Sequence, residues 1–569
     1  TMVELVGPDT DQEMQLFNIW NINDVIIRAG KAKMTPVRVV VHGQAGANQR
    51  IDLNGQTIEF YQLQNSAGWN GTTTINGKAK ESDQIGRITF KNEKAPEYQA
   101  AETDKTETPE AGAKPEGDVP ATGDGTTDGT QEEKKDKIEN GNLLRLKNLT
   151  LESDIELEKS EYVGWSQHKG WTEDQKMDRA NYSPLLIDGT FVPNGHKIKL
   201  VKENGAPYKD GEIVAGFANE TDMNSTAILD PADFELMNPK QGERADDGKY
   251  YFLVPANEGR TIKVKAMDTL PIKVTPGFGG EHDSYYKDYA TALNAIIENG
   301  TGIDYTITNL LDAEFTEAAN LHLNAIKKAN ASKLTFVSGI SQNKEDKGRM
   351  YRITMKLTPQ DPENAESKSL KLPSVDGEQA TTAVEFRDVL IRSDYDFAVE
   401  DKTIVRKNPL VIFNNGGSLT FGQNCNFVSR YPSEYVENAG KNWEPMYVKV
   451  YAGAYSGTVN TDADITVTSG TFDAIYGGNQ NGYYTGKYTL NVEQQDPSLL
   501  NLKTDKDGRL EIRTIDGAGA SDQEKPAKKN TSIHITGPVY DEANPGELQS
   551  LRLENLYNYD LLELIGQCT

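Results

Sequence analysis

Residues 465–478 read ITVTSGTFDAIYGG, and this stretch decides the expected fold. Its large apolar side chains are separated by threonines and small residues, as in strands that bury one face. Glycines follow each apolar run, at Gly470 and at Gly477 and Gly478. Short strands that are broken by glycine, with no helix between them, predict a chain that coils into stacked β rungs. Such a coil is a quasi-one-dimensional scaffold that presents long binding surfaces.

Composition narrows the class of protein. The 569 residues include 86 acidic and 60 basic side chains, which give a formal net charge of −26. This charge argues against non-specific binding to nucleic acid or to an anionic membrane, because both attract cations. The two cysteines, Cys425 and Cys568, are too few for a disulfide framework. The 50 glycines and 25 tyrosines favour an all-β extracellular protein over a helical enzyme.

Targeting signals are missing from the sequence as given. No segment approaches the roughly 20 apolar residues that span a bilayer, so we expect no membrane insertion. The opening TMVELVGPDT has neither a basic region nor an apolar core, and it predicts no signal peptide. We therefore interpret the chain as a mature-like piece of a longer protein.

The patterns predict three regions. Residues 1–200 form a first β-helical region, interrupted at about 96–139 by an acidic, Pro-rich segment with almost no large apolar residues. Such a segment cannot bury enough surface to offset its ordering entropy, so we predict a disordered insertion. Residues 201–275 are either a small β module or a β excursion from the coil, and the sequence leaves both open. Residues 276–569 form the second β-helical region.

Two amphipathic helices are expected at the start of that second region. Tyr289, Leu293, Ile296 and Ile297 share one helical face and predict a helix over 288–299 that ends at a glycine. A second helix is predicted at about 314–329. Laid across the open end of the first rung, such helices would shield its apolar interior and its unpaired strand edges.

A short pattern recurs in three distant places. Leu144-Arg-Leu-Lys-Asn-Leu, Val384-Glu-Phe-Arg-Asp-Val and Leu551-Arg-Leu-Glu-Asn-Leu each place an Asn or Asp after two apolar–charged pairs. Asn and Asp tolerate the left-handed conformation, so Asn148, Asp388 and Asn555 are predicted to turn corners. A bulge at Asn148 would also return the four leucines around it to a common face.

Together these features resemble the right-handed parallel β-helix of the pectin-lyase-like superfamily, and more closely the large surface proteins of Gram-positive gut bacteria. The residues that carry the resemblance are the helix and D-Y-T-I strand at 290–307, the S-G-T-F-x-x-I-Y-G-G turn at 469–478 and the L-N-G-x-T-I opening at 53–58. The fold hosts both enzymes and adhesins, so the resemblance alone leaves the activity open.

Enzymatic and metal sites find weak support. Polysaccharide lyases with this fold use clustered aspartates to hold Ca²⁺ and a basic residue to abstract a proton. The densest such cluster is Arg387, Asp388, Arg392, Asp394 and Asp396, which is equally well explained as a solvated strand face. The glycoside-hydrolase version requires a G-H-G turn that is absent from the sequence. Asp462, Asp464 and Asp473 are a further metal candidate, for which a solvated corner is the expected alternative. We predict no cofactor and no metal.

Tyrosines and amides give the best indication of binding. Sugar rings stack on aromatic faces while amides bond their hydroxyls, although tyrosines stacked as structural ladders would give the same pattern. Trp165, Trp171 and His168 form a smaller candidate of the same kind. The predicted ligand-binding residues are Tyr451, Tyr455, Tyr476, Asn479, Asn481, Tyr483 and Tyr484.

The sequence thus predicts a non-catalytic, extracellular fragment of a bacterial surface protein, attached to the cell wall through other parts of its parent. The expected role is adhesin-like binding of a host or microbial glycan or surface protein. A polysaccharide lyase or glycoside hydrolase of the same fold is one alternative, and a structural stalk is another.

Overall fold

The structure is a computed structural model. It describes residues 2–7, 12–13, 18–20, 24–30, 34–42, 48–65, 71–90, 144–159, 185–202, 205–217, 229–256, 261–277, 282–341, 348–358, 367–373, 382–393, 396–400, 403–429, 444–493, 510–519, 531–536 and 552–565. The predicted acidic insertion at 96–139 lies outside the described residues.

The described residues are mostly β-strand, with two α-helices and one short 3-10 helix, Pro231–Asp233, which confirms the all-β prediction. The helices are α1 (Tyr289–Asn299) and α2 (Glu317–Ala325). In chain order the strands are β1 (Met2–Val6), β2 (Gln12–Glu13), β3 (Asn18–Trp20), β4 (Asp24–Arg28), β5 (Met34–His42), β6 (Asn48–Asp52), β7 (Thr57–Asn65), β8 (Thr72–Asn76), β9 (Arg87–Phe90), β10 (Leu144–Leu151), β11 (Ile155–Lys159), β12 (Leu185–Val192), β13 (Ile198–Lys202), β14 (Ile213–Phe217), β15 (Phe234–Leu236), β16 (Tyr250–Ala256), β17 (Thr261–Met267), β18 (Ile272–Pro276), β19 (Ser284–Tyr286), β20 (Ile303–Asn309), β21 (Ala313–Thr316), β22 (Ala331–Ser338), β23 (Arg352–Lys356), β24 (Ser367–Lys371), β25 (Ala383–Phe386), β26 (Val389–Arg392), β27 (Asp396–Glu400), β28 (Thr403–Phe413), β29 (Ser418–Phe421), β30 (Cys425–Ser429), β31 (Glu444–Pro445), β32 (Val448–Tyr451), β33 (Thr458–Val459), β34 (Ala463–Val467), β35 (Gly470–Tyr476), β36 (Tyr483–Tyr484), β37 (Tyr488–Glu493), β38 (Leu510–Asp516), β39 (Thr531–Thr536), β40 (Arg552–Tyr557) and β41 (Leu561–Ile565).

Contacts divide the chain into two compact units. The first comprises Thr1–Leu186 and Val201–Gly205, and the second comprises Ile187–Leu200 and Ala206–Thr569. Residues 206–275, expected as a module or an excursion, thus group with the β-rich region that follows them.

Parallel pairing builds the first unit. One run of parallel strands is β1, β4, β6, β8 and the end of β10, and a second joins β5, β7, β9 and β11. Asp24, Asn48 and Thr72 occupy the same register position in successive strands, and the sequence separation at each step is 24 residues. From β4 to β9, successive strands of the chain therefore join the two runs alternately.

The interior of the first unit follows the strand alternation. Ile27, Ile51, Ile75 and Leu151 are fully buried, one from each of four successive strands. In the neighbouring interior row, Gln49 lies between Val25 and Thr73 in register and is 1% exposed. Among the described residues, neither polar atom of the Gln49 amide has a hydrogen-bond partner, so this interior row contains a buried, unsatisfied amide.

The predicted corner at Asn148 is confirmed. Asn148 has a φ of 44°, in the left-handed region, and its Nδ2 donates to the carbonyl of Gly71 at 2.7 Å. Before this residue β10 pairs with β7, and after it β10 pairs with β8. The bend allows Leu146, Leu149 and Leu151 all to be buried, as the pattern indicated.

Three parallel sheets form most of the second unit. The first sheet contains β20, β22, β25, β29, β34, β37, β39 and β41. The second contains β21, β23, β26 and β30, and the third contains β24, β28, β32, β35, β38 and β40. The chain enters the sheets in the same order on successive circuits, as in β22–β23–β24 and again in β29–β30–β32.

One apolar cluster fills the second unit between these sheets. It contains the inward residues of all three sheets together with those of α1 and α2. Phe336, Phe386 and Phe421 stack on successive strands with ring centroids 5.2 and 5.9 Å apart, and Phe472 meets Phe421 edge-on. Phe386 therefore has an aromatic partner in register on both neighbouring strands.

Both predicted helices are present. In α1, Asp288 caps the N-terminus by accepting from the Thr291 N–H, and Tyr289, Leu293 and Ile296 are buried in the core. Gly300 ends α1 with a negative φ rather than in the left-handed conformation expected of a terminal glycine. A Cβ there would lie 2.3 Å from the Asn330 carbonyl oxygen, so close backbone approach explains this glycine. The second helix, α2, is shorter than the predicted 314–329 at both ends, because its first three positions belong to β21 and the extended Ile326 ends it.

The other two predicted corners have different outcomes. Asp388 has a φ of 47°, and its Oδ1 accepts from the Asn424 side chain at 2.7 Å, which confirms a corner there. Asn555 was predicted wrongly, because it lies inside β40 in register with Thr514. The left-handed residue is Asn558, with a φ of 52°, just beyond the end of that strand.

Candidate functional site

The third sheet of the second unit carries a row of aromatic rings on its outward side. Phe413, Tyr451 and Tyr476 occupy one register position in β28, β32 and β35. The Tyr451 ring stacks on Phe413 at 5.4 Å and on Tyr476 at 4.6 Å, with interplanar angles of 23° and 13°. The residues just before them in each strand, Ile412, Val450 and Ile475, point into the core. Strand alternation therefore directs the rings outward.

This row continues beyond the rings. Asp516 in β38 follows Tyr476 in register, and Tyr557 in β40 follows Asp516. The Asp516 Oδ1 accepts from the Ala518 N–H at 3.0 Å and from the Asn558 Nδ2 at 2.7 Å. The Tyr557 side chain is 51% exposed. We call Phe413, Tyr451, Tyr476, Asp516 and Tyr557 the outer row.

The rings of the outer row differ in exposure. Tyr451 is 3% exposed, whereas Tyr476 is half-buried, and the Tyr455 ring meets Phe413 edge-on at 6.1 Å. Burial raises the pKa of both the Tyr451 and the Tyr476 phenol, and the nearby Asp473 carboxylate adds to the effect. Both phenols are therefore protonated at neutral pH and are able to donate a hydrogen bond.

A charged network lies beside the aromatic rings on the same sheet. The Arg513 guanidinium lies 3.5 Å from the centroid of the Tyr447 ring, and the Tyr447 hydroxyl donates to Glu511 at 2.9 Å. Asp473 is bound from two sides, by Lys449 at 3.8 Å and by Arg513 at 3.5 Å. The aromatic rings are thus flanked by side chains of both charges.

The predicted amides and the remaining tyrosines fall into two groups. Asn479 is fully buried, and its side chain bonds the Ala454 N–H and the carbonyls of Gly457 and Tyr483. Tyr484 is 6% exposed, and its hydroxyl donates to backbone carbonyls. These contacts explain both residues as supports of the turn. Asn481 and Tyr483 are exposed, and the binding role of the seven residues stays a prediction.

The described candidate lyase residues Arg387, Asp388 and Arg392 have separate partners. The Arg392 side chain is 6% exposed and binds Asp230, whereas Arg387 is exposed and lies 3.8 Å from Glu385. Asp388 turns a corner and is bonded by Asn424. Asp396 begins β27, and Asp394 lies outside the described residues, as do Trp165, His168, Trp171 and Cys568.

The candidate metal ligands are also separated. Asp462 and Asp464 line a polar groove of about 660 Å³ with Lys328 at the start of the first-sheet strands, whereas Asp473 lies on the third sheet. The Asp462 carboxylate accepts from the Lys487 N–H, and that of Asp464 accepts from Asn491. Among the described residues there is no group of three or more metal-binding side chains.

The sequence did not predict a cluster of charged side chains around Asp312. Asp312 is bound by Arg349 and Arg352, with an Arg352 Nη2–Asp312 Oδ2 distance of 2.8 Å. The two guanidinium groups lower the pKa of the buried Asp312 carboxyl to about 2, against the opposing effect of burial. The arginines follow Asp312 by 37 and 40 residues, and no local pattern links them.

No protein-family model, curated protein or solved structure matches this chain. Within the part of the chain that the structure describes, no helix is long and apolar enough to cross a membrane.

Proposed function

We propose that each unit is a right-handed parallel β-helix. Three features of the second unit support the proposal: the repeated order in which the chain enters the three sheets, the single core between them, and left-handed Asn or Asp residues at the corners. Right-handedness follows from the strong preference of crossover connections between parallel strands, which are right-handed in about 98% of cases.

We further propose that the chain is a non-catalytic, extracellular region of a bacterial cell-surface protein, and that it binds a host or microbial glycan or surface protein. The observation that carries this proposal is the outer row. The exposed fraction of its tyrosines increases along the row, from the nearly buried Tyr451 through the half-buried Tyr476 to the exposed Tyr557. Rigid rings beside charged groups are a suitable platform for sugars and for protein surfaces.

The composition, rich in glycine and tyrosine, supports an extracellular location, and the scarcity of cysteine fits a cytosolic and a surface protein equally well. A stacked-rung scaffold also suits a binding role, since successive strands repeat outward positions along a long face. A lyase or hydrolase is less well supported, because Arg387, Asp388 and Arg392 have separate partners.

The experiment is a binding screen of the whole chain against a glycan array and against immobilised mucins and cell-surface proteins. We expect binding that falls about tenfold in Tyr476→Ala, which corresponds to about 1.4 kcal/mol for one lost aromatic contact. Tyr285→Ala is the matched control, because Tyr285 is 37% exposed on β19, away from the outer row. Absence of any ligand would favour the stalk, and depolymerisation of a polysaccharide would favour the enzyme.

A further inference from the structure

The outer row has a gap of one ring. Its register order is Phe413, Tyr451, Tyr476, Asp516 and Tyr557, so four of the five positions are aromatic. Asp516 stands where a ring would continue the stack. Its short side chain cannot cover the face of Tyr476 in the way that Tyr451 covers the opposite face at 4.6 Å.

The size of this gap follows from the strand spacing. Neighbouring strands lie about 4.8 Å apart, so the backbones that carry Tyr476 and Tyr557 are separated by about 9.6 Å. Aromatic rings stack with centroids about 4.5–7 Å apart. One flat ring placed over Asp516 would therefore lie at stacking distance from the strand positions of both Tyr476 and Tyr557.

The chemistry at Asp516 selects the kind of ring. Both described hydrogen bonds of its carboxylate, from Ala518 N–H and from Asn558 Nδ2, use Oδ1. The second oxygen, Oδ2, is an acceptor that suits a ligand bearing hydroxyl donors. A purely apolar ring would leave this carboxylate oxygen without a donor, at a cost in affinity. A pyranose combines flat C–H faces for the two tyrosines with hydroxyls for the carboxylate.

We propose that the gap at Asp516 is a binding slot for one pyranose unit of a glycan, held between Tyr476 and Tyr557 with its hydroxyls donating to Asp516 Oδ2. This inference rests on the proposed glycan-binding function and specifies its site. The ligand ring takes the place of the missing aromatic ring in the outer row.

The experiment compares three variants on a glycan array, followed by competition with free hexoses and N-acetylhexosamines. Tyr476→Ala and Tyr557→Ala each remove one wall, and we expect each to weaken binding about tenfold. Asp516→Tyr fills the slot and is expected to abolish binding. Tyr559→Ala is the matched control, because Tyr559 is 39% exposed nearby but lies outside the outer row, and its affinity should be unchanged.

The outcomes separate the slot from the wider proposal. Asp516→Tyr also removes an acceptor for two donors, so its folding is checked by circular dichroism. Tyr557→Ala remains decisive if that variant fails to fold, because Tyr557 is half exposed. A wild-type protein that binds glycans with undiminished affinity in Tyr476→Ala and Tyr557→Ala would overturn the slot and leave the proposed function standing. Binding to proteins alone would also overturn the slot, and no binding of any kind would overturn both.

Discussion

Asp230 and Arg392, separated by 162 residues in sequence, form a partly buried ion pair with a distance of 2.8 Å from the Arg392 Nη1 to the Asp230 Oδ2. Their side chains are 13% and 6% exposed. Asp230 belongs to the segment that precedes the three-sheet region, and Arg392 ends β26 in the second sheet. Phe252 and Val254 from the same segment pack against Leu311, so charge and apolar burial together hold this segment within the second unit.

Asp230→Asn should destabilise the second unit by about 1–3 kcal/mol, because it removes the negative charge that lies 2.8 Å from the Arg392 guanidinium. The free energy of unfolding in urea is the measurement. Asp246→Asn is the control, because Asp246 is exposed on the same segment. A loss of less than 1 kcal/mol would show that the ion pair is solvated, as surface pairs are.

Asp312 should make the second unit sensitive to acid. Its pKa of about 2 lies below the ordinary value of 3.8, so the ionised carboxylate stabilises the folded state above about pH 4. This contribution, about 2 kcal/mol, is lost as the pH falls from about 4 towards 2. Urea titrations across that range should show a smaller pH dependence in Asp312→Asn than in the wild type. Asp268→Asn, at an exposed site, should keep the wild-type slope.

Gln49→Leu should stabilise the first unit by about 1–3 kcal/mol, because it replaces a buried amide without partners by an apolar side chain of similar size. The exposed Gln84 gives the control substitution Gln84→Leu, for which we expect almost no change. Thermal unfolding of both variants is the measurement. A lower melting temperature for Gln49→Leu would contradict the absence of hydrogen bonds to this amide.

Asn148→Val should destabilise the first unit by about 2–3 kcal/mol, since a β-branched residue at a φ of 44° is strained and the bond to Gly71 is lost. Asn148→Gly loses the same side-chain bond but adopts the left-handed conformation freely. Asn148→Val should therefore be the less stable of the two variants, because the strain at a φ of 44° exceeds the entropy cost of glycine. Equal losses would place the whole effect in the hydrogen bond.

Local patterns were sufficient for part of this fold. The α1 helix, the burial of Leu149 and the corners at Asn148 and Asp388 all follow from neighbouring residues in sequence. Such features depend on propensity and alternation, which a short window contains.

The outer row could be found only in part. Tyr451 and Tyr476 belong to a cluster of tyrosines that is visible in the sequence. The segments between the strands differ in length, so the sequence did not reveal the register of these tyrosines with Phe413, Asp516 and Tyr557. Asn479 is predicted from the sequence to bind a ligand, because side-chain amides bond the hydroxyls of sugars. In the structure its buried side chain bonds local backbone groups. Partners that are distant in sequence decide these roles.

Asp24, Asn48 and Thr72 are spaced 24 residues apart, so the first unit could differ in length by whole multiples of such a repeat. In the proposed β-helix each circuit pairs with its two neighbours, so insertion or deletion of a whole circuit would leave the remaining pairings unchanged. Tandem duplication of residues 48–71 would lengthen this unit by one strand spacing, about 4.8 Å, with no new kind of contact. Duplication of such a segment in the gene would thus lengthen the protein by one repeat, and its deletion would shorten the protein by one.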